Sequence, residues 1–249
     1  MTKLSRGAAL PLFILAVWEL SSRLGVMTYE SLSYPSAIAA AGWAALLDGS
    51  ILESTWETCQ SALLGLALGA VVGVALGAVV GLSRLASRAA GPTFDALRAI
   101  PSVALMPLGL LLFGWGLAME VVVVAYACCW PIMIATSAAV RGVEPRLLEV
   151  ADALEMSFAA RLRKIVLPAA FARIGVGVRV ALGIALVVAV TIEIAVNPRG
   201  LGYALVLAQQ SLRPDVMFAQ ILWLALIGFA LNALLSTVDG GARGEGSGA

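Results

Sequence analysis

Residues 61–82 read SALLGLALGAVVGVALGAVVGL, without a charge from end to end. About 20 predominantly apolar residues are enough for a helix to cross a bilayer, so this stretch predicts a membrane-spanning helix. Its glycines, Gly65, Gly69, Gly73, Gly77 and Gly81, stand four residues apart. On a helix that spacing clears one stripe of side chains and lets another backbone approach closely. Each glycine costs about 1 kcal/mol against alanine in a helix interior. Five in register therefore predict a helix-packing surface: either tight packing within the chain, or an interface along which something slides.

Working outward, the remaining chain is of the same kind. Its 249 residues are 61% hydrophobic and 12% charged, with a mean hydropathy of +0.98; a soluble domain carries about 25% charged residues. Six segments qualify as spans, at residues 7–24, 61–82, 99–113, 118–140, 174–196 and 216–237. The third is short and holds Pro101 and Pro107, which predicts a kink or a tilt. At the N-terminus, Lys3 and Arg6 precede an apolar run as in a signal peptide. No small-x-small cleavage site follows, and Glu19 and Arg23 close the segment, so a retained first span is expected. The fold class is an all-α integral membrane protein of about six helices. Residues 1–60 are expected to form the first span and an outer loop, 61–237 the core domain, and the Gly-rich 238–249 a disordered tail.

Basic residues orient the spans, because loops that stay inside retain Lys and Arg. With the N-terminus inside, only Arg23, Arg199 and Arg213 fall outside; the other thirteen basic residues fall inside. Both termini are therefore expected in the cytoplasm. The loop after the first span should be external, with Ser33–Ser36 turning into a short surface helix. Trp18, Trp43, Trp56 and Trp115 suit interfacial anchors.

Several chemistries are unsupported. With no histidine in the chain, His-ligated metal sites and Ser–His–Asp or Cys–His catalysis have no residues to use. Cys59, Cys128 and Cys129 form no C-x-x-C pair and suit small packing residues. No G-x-x-x-x-G-K-[ST] stretch is present, so no nucleotide site is expected. No metal, cofactor or nucleic acid is implied, and the expected class is not an enzyme.

The segment from Arg141 to Arg173 is too long for a turn and too regular for a linker. Pro145 sits where a first helical residue would. Leu147, Leu148, Ala151 and Leu154 then follow at helical spacing, giving a short amphipathic helix. Ser157 is placed to cap a second helix carrying Arg161, Arg163 and Lys164, and Pro168 marks the entry to the fifth span. The result is a hairpin near residues 144–168 whose apolar stripe either meets a partner or lies on lipid.

This hairpin resembles the cytoplasmic loop of binding-protein-dependent ATP-binding-cassette importer permeases. The pattern there is Glu-Ala-Ala, three residues, Gly, nine residues, Ile-x-Leu-Pro. Here Glu149-Val150-Ala151 is followed by Glu155 at the glycine position and by Ile165-Val166-Leu167-Pro168, with matching spacing throughout. The similarity extends over about residues 61–236. Arg98-Ala99-Ile100-Pro101, Met106-Pro107-Leu108, Leu112-Phe113-Gly114, Gly200-Leu201-Gly202-Tyr203 and Ala208-Gln209-Gln210 are similar to the nitrate, sulfonate and taurine branch. The resemblance implies a type I importer permease fold in the inner (plasma) membrane of a bacterium. Its implied partners are a separate ATPase subunit, an extracytoplasmic solute-binding protein and a second permease copy, as in a homodimer. ATPase coupling would fall to Glu149, Ala151, Leu154, Glu155, Ile165, Leu167 and Pro168.

Glu155 departs from the pattern. It either bears the strain of the glycine conformation because its carboxylate contacts Arg161, Arg163 or Lys164, or the turn is relaxed and Glu155 is simply exposed. The second is favoured, since exposed ion pairs contribute little. Polar residues within the spans are functional candidates by default. Glu193 and Glu120, near outer ends, and Trp130, deep in the fourth span, are the candidates for a pathway or gate. Glu120 is expected to be solvated, and a structural hydrogen bond is the competing role for Glu193. A secondary transporter or channel without an ATPase is the alternative, disfavoured by the hairpin and by the lack of a charged relay.

Overall fold

The computed structural model describes residues 3–25 and 32–244, and the regular structure among them is helical. The helices are α1 (Lys3–Arg23), α2 (Pro35–Leu47), α3 (Ser50–Leu82), α4 (Arg84–Arg98), α5 (Met106–Phe113), α6 (Leu117–Arg141), α7 (Pro145–Ala153), α8 (Phe158–Arg161), α9 (Leu167–Ala195), α10 (Gly200–Gln210) and α11 (Pro214–Gly244). A 3-10 turn, Ser102–Leu105, precedes α5, and a π-helical turn, Leu162–Val166, precedes α9.

Among the described residues, four stretches are long and apolar enough to cross a membrane: Ser50–Leu82, Leu117–Arg141, Leu162–Ala195 and Pro214–Leu235. The exposed surface is itself apolar. Val71, Leu111, Val187 and Phe229 are each two-thirds or more exposed, a surface suited to lipid rather than water. α1 is an apolar helix that keeps Pro11 inside it and ends on Arg23.

Three spans differ from expectation. The second begins at Ser50 rather than at residue 61, after a turn in which Asp48 Oδ1 accepts the Ser50 amide at 2.9 Å. Hydrogen bonds from Ser50 hold the Asp48 carboxyl below its ordinary value. The third is not one straight helix. α4 and the segment Ser102–Phe113 meet at 83°, because Pro101 disfavours helical geometry at Ile100 and offers no amide of its own. The fifth starts within the hairpin: the helix runs on from Leu162, and Pro168 is its second α-helical residue rather than a break. The π turn accommodates this proline. The Leu167 amide bonds back to the Leu162 carbonyl, widening the turn where the ring would meet the carbonyl four residues before it. At the C-terminus α11 continues to Gly244, into the tail expected to be disordered; residues 245–249 lie outside the described residues.

The chain forms two compact units, Met1–Thr58 with Glu193–Ile227, and Cys59–Ile192 with Gly228–Ala249. In the second unit the glycine stripe of α3 packs on α6 of the same chain. Gly65 faces Val124, Gly69 faces Cys128, Gly73 faces Ile132, Gly77 faces Thr136 and Gly81 faces Val140. A methyl group at Gly69, Gly73 or Gly77 would come within 2.7 Å of a carbonyl oxygen of α6, so the helices approach at backbone distance. Beyond Gly81 a core of Ala139, Val140, Val143, Val166, Ala170 and Ile174 joins the end of α6 to the start of α9.

In the first unit Trp18 packs edge-on against Phe218 with ring centroids 6.3 Å apart, and Trp223 Nε1 donates to Thr55 Oγ1 at 2.8 Å. Trp43, Trp56 and Trp115 are exposed as expected of anchors, whereas Trp18 is half-buried. The start of α2 is capped from α1: the Glu19 carboxylate accepts the Ser36 amide at 3.0 Å and its hydroxyl at 2.7 Å, while Arg23 Nε donates to it at 2.6 Å.

Candidate functional site

The hairpin is built from local rules. Pro145 opens α7 after the extended Glu144, a position where a missing amide costs nothing. At the other end, the Glu155 amide donates to the Asp152 carbonyl and the Met156 amide to the Ala151 carbonyl, both at 3.0 Å. These two bonds define a Schellman close, and Glu155 occupies its left-handed position with φ +47°. The relaxed turn is therefore corrected: Glu155 adopts the conformation that glycine favours, at about 1 kcal/mol, and its side chain is exposed. Of the three cations suggested for it, Arg161 is engaged elsewhere, since Arg161 Nη1 pairs with Asp152 Oδ1 at 2.7 Å and ties the two limbs together. Ser157 caps the second limb through its carbonyl to the Arg161 amide at 2.9 Å and its hydroxyl to the Ala160 amide at 3.4 Å.

The faces of α7 separate residues that the spacing had grouped together. Ala151 is 1% exposed and points inward, so it lies off the outward stripe. Leu147, Val150 and Leu154 are 40%, 52% and 68% exposed and form that stripe. Glu149 and Pro168 are exposed, Ile165 and Leu167 are half-buried, and Val166 is buried in the core. Val150 entered the sequence comparison only as a departure from alanine; its exposure places it beside Leu154.

A second cluster, in the first unit, surrounds the start of α10. The first three amides of that helix all donate to side chains from other helices. Gly200 donates to Glu57 Oε2 at 2.9 Å, Leu201 to Thr58 Oγ1 at 2.9 Å, and Gly202 to Glu193 Oε2 at 2.8 Å. Thr58 in turn donates its hydroxyl to Glu193 Oε2 at 3.0 Å. Glu193 is 2% exposed, and the positive end of the α10 dipole favours its carboxylate there. Gly200 has φ +84°, where any other residue is strained, and a β-carbon on it would overlap the Glu193 carboxylate and force it to shift. Sequence reasoning singled out Glu193 and the Gly200–Tyr203 run separately; Glu57 and Thr58 carried no signal of their own.

The binding-protein-dependent transport system inner membrane component family matches residues 67–243. The chain belongs to that family. Within the permease family it is 35% identical to a candidate aliphatic sulfonates transport permease of Escherichia coli, over 88% of this chain and 83% of that one. A protein of the same description in Bacillus subtilis is 32% identical over 94% and 85%. Its fold is that of a type I importer permease. An inward-facing methionine ABC transporter chain superposes with a TM-score of 0.69 over 77% of this chain and 95% of that one, at 18% identity. The chain is thus a multi-pass membrane component of an ATP-binding-cassette importer, in the nitrate, sulfonate and taurine branch.

The remaining candidates take definite places in this permease. Glu120, expected to be solvated, is 2% exposed in the first turn of α6. Trp130 is half-buried, edge-on to Tyr126 at 5.3 Å and tilted against Phe94 at 6.2 Å. α6 continues through Pro131. Cys128 is buried against Gly69 and donates to the Ala181 carbonyl at 3.4 Å. Among the described residues no group of three His, Cys, Asp or Glu is arranged to hold a metal ion.

Proposed function

We propose that the chain forms the solute pathway of an importer for small sulfonate-like anions, powered by a separate ATPase subunit that docks on the hairpin. The observation that carries this is the outward stripe of Leu147, Val150 and Leu154 on a hairpin rooted in the core through Val166. An apolar surface fixed to a rigid base passes movement from a docked partner into the spans. Closure of the ATPase is then converted into rigid-body motion of α6 and α9. The substrate class follows that of the two aliphatic sulfonates transport relatives. An extracytoplasmic binding protein delivers the solute, a second copy of the chain completes the pathway, and the assembly sits in the bacterial plasma membrane.

Purification of the chain from its own membranes should retain a stoichiometric ATPase. Leu154→Asp should abolish that retention and ATP-dependent alkanesulfonate uptake, while leaving the melting temperature of the chain unchanged. Uptake that needs no ATP, or an ATPase still bound to Leu154→Asp, would sink the docking reading.

The orientation has its own check. With both termini inside, an impermeant maleimide applied to intact cells should label a Ser36→Cys variant and spare an Arg163→Cys variant. The reverse pattern would invert the topology.

A further inference from the structure

We propose that the second unit carries a phosphate-binding site at the cytoplasmic edge of the membrane, filled by the headgroup of an anionic phospholipid or by free phosphate. The site is a cavity of about 760 Å³, within the range of about 300–1,000 Å³ of ordinary ligand pockets. It lies among the end of α3, the start of α4, the end of α6 and the second limb of the hairpin. Arg84, Arg88, Arg141 and Arg161 line it together with Ser87, and no carboxylate is among its described lining residues.

The guanidinium groups are partly fixed in place. Arg141 Nη2 donates to the Val80 carbonyl at 3.2 Å and to Ser87 Oγ at 2.8 Å. Arg161 is held by Asp152, which neutralises one of the four charges. Arg84 and Arg88 stand one turn apart on α4, whose positive N-terminal end begins here, with Ser83 Oγ capping the Ala86 amide at 3.1 Å. Gathering the other three cations in one cavity that no carboxylate is described as lining is unfavourable, and the planar guanidinium fork matches a phosphate oxygen pair. The level of the cavity favours a headgroup as the source. The apolar runs of α3 and α6 end at Leu82 and Arg141, and Leu85, between the arginines of α4, is 78% exposed. An apolar side chain beside a basic cavity at a span's end is the arrangement that seats an anionic lipid.

The site relies on the inside placement proposed above, but its test does not involve transport. The full-length chain in neutral detergent is offered short-chain phosphatidylglycerol, phosphatidylcholine or inorganic phosphate. Lipid retention is read by native mass spectrometry and stabilisation by melting temperature. Wild type should prefer phosphatidylglycerol over phosphatidylcholine, and the Arg84→Gln/Arg88→Gln variant should lose affinity for it by about thirtyfold. That variant should melt like wild type when no lipid is added. If it does not fold, Arg84→Lys/Arg88→Lys replaces it, keeping the charge and losing the fork, and should retain part of the preference. Stabilisation by phosphatidylglycerol alone identifies the headgroup as the ligand, and stabilisation by phosphate as well identifies the free ion; either supports the site. No preference in wild type, or a preference unchanged in the substituted chains, overturns it. Loss of ATPase retention with lipid binding intact also overturns it, since the arginines would then serve the subunit interface.

Discussion

Two helix ends in this permease are closed in opposite ways. At the end of α7 the chain closes itself: the carbonyls of Ala151 and Asp152 are taken by amides three to five residues further on. At the start of α10 the amides are taken by Glu57, Thr58 and Glu193, residues nine to 143 positions away. The first close needs only a left-handed residue, and Glu155 supplies it. The second needs α3, α9 and α10 to arrive together, and it buries a carboxylate. Local closure tolerates a substitution that strains one residue. Closure by distant side chains does not, because each acceptor removed strands a buried donor. α10 contains both solutions, since it ends in another Schellman close with Leu212 at φ +52° and the Arg213 amide on the Ala208 carbonyl at 2.9 Å.

The sharpest way to break this comparison is Gly200→Ala. The added methyl meets the Glu193 carboxylate in a backbone conformation that L-residues rarely adopt. Thermal unfolding in detergent should register a loss of about 3 kcal/mol or more. Gly183→Ala is the control, because a β-carbon there has nothing within 4 Å. Glu193→Gln, which keeps an acceptor, should cost less than Glu193→Leu, which strands the Gly202 amide while the Thr58 hydroxyl keeps the Ser54 carbonyl. Gly200→Ala melting with the control would mean that the α10 start is not held as described.

Ala151→Asp should come next. Its side chain is buried within the chain, so an unpaired carboxylate there should destabilise the chain by about 3 kcal/mol before any partner is involved. Leu154→Asp, on the exposed stripe, should change chain stability by no more than about 0.5 kcal/mol. Equal melting temperatures for the two variants would erase the distinction between the inner and outer faces of α7.

The smallest effect belongs to the strained turns. Glu155→Gly and Leu212→Gly each relieve about 1 kcal/mol of left-handed strain, offset in part by the freedom glycine adds to the unfolded chain. Differential scanning calorimetry should find each variant equal to wild type or up to about 1 kcal/mol more stable. A loss beyond that range at either position would assign its side chain a contact worth more than the strain.

The spans, the hairpin and its capping residues were legible in the sequence because they depend on short-range rules. An uncharged run of residues must be helical in lipid. Glycines four apart must share a face. Pro145 and Ser157 act on amides within a few residues of themselves. The bend before Pro101 was foreseen in kind, though not its 83°. Ala151 was misplaced because helical spacing groups residues by angle and does not say which edge of an apolar face a partner limb will cover. Glu193 was noticed for its charge, and its neighbours were not, because Glu57 and Thr58 lie in a segment that reads as loop.

By itself, the sequence determined that this is a helical membrane protein, which helix carries the close-packing stripe, and where the hairpin turns. Lipid forbids unpaired backbone, and the hairpin's caps lie within a turn of the groups they serve. Only the tertiary structure decided that α6 fills the glycine stripe, that Ala151 faces inward while Val150 faces out, and that Gly200 must leave room for Glu193. The first depends on atoms that meet across more than fifty residues of chain, the second on which side of a helix another limb comes to rest, and the third on how the turn between α9 and α10 folds back; all are fixed by packing in three dimensions.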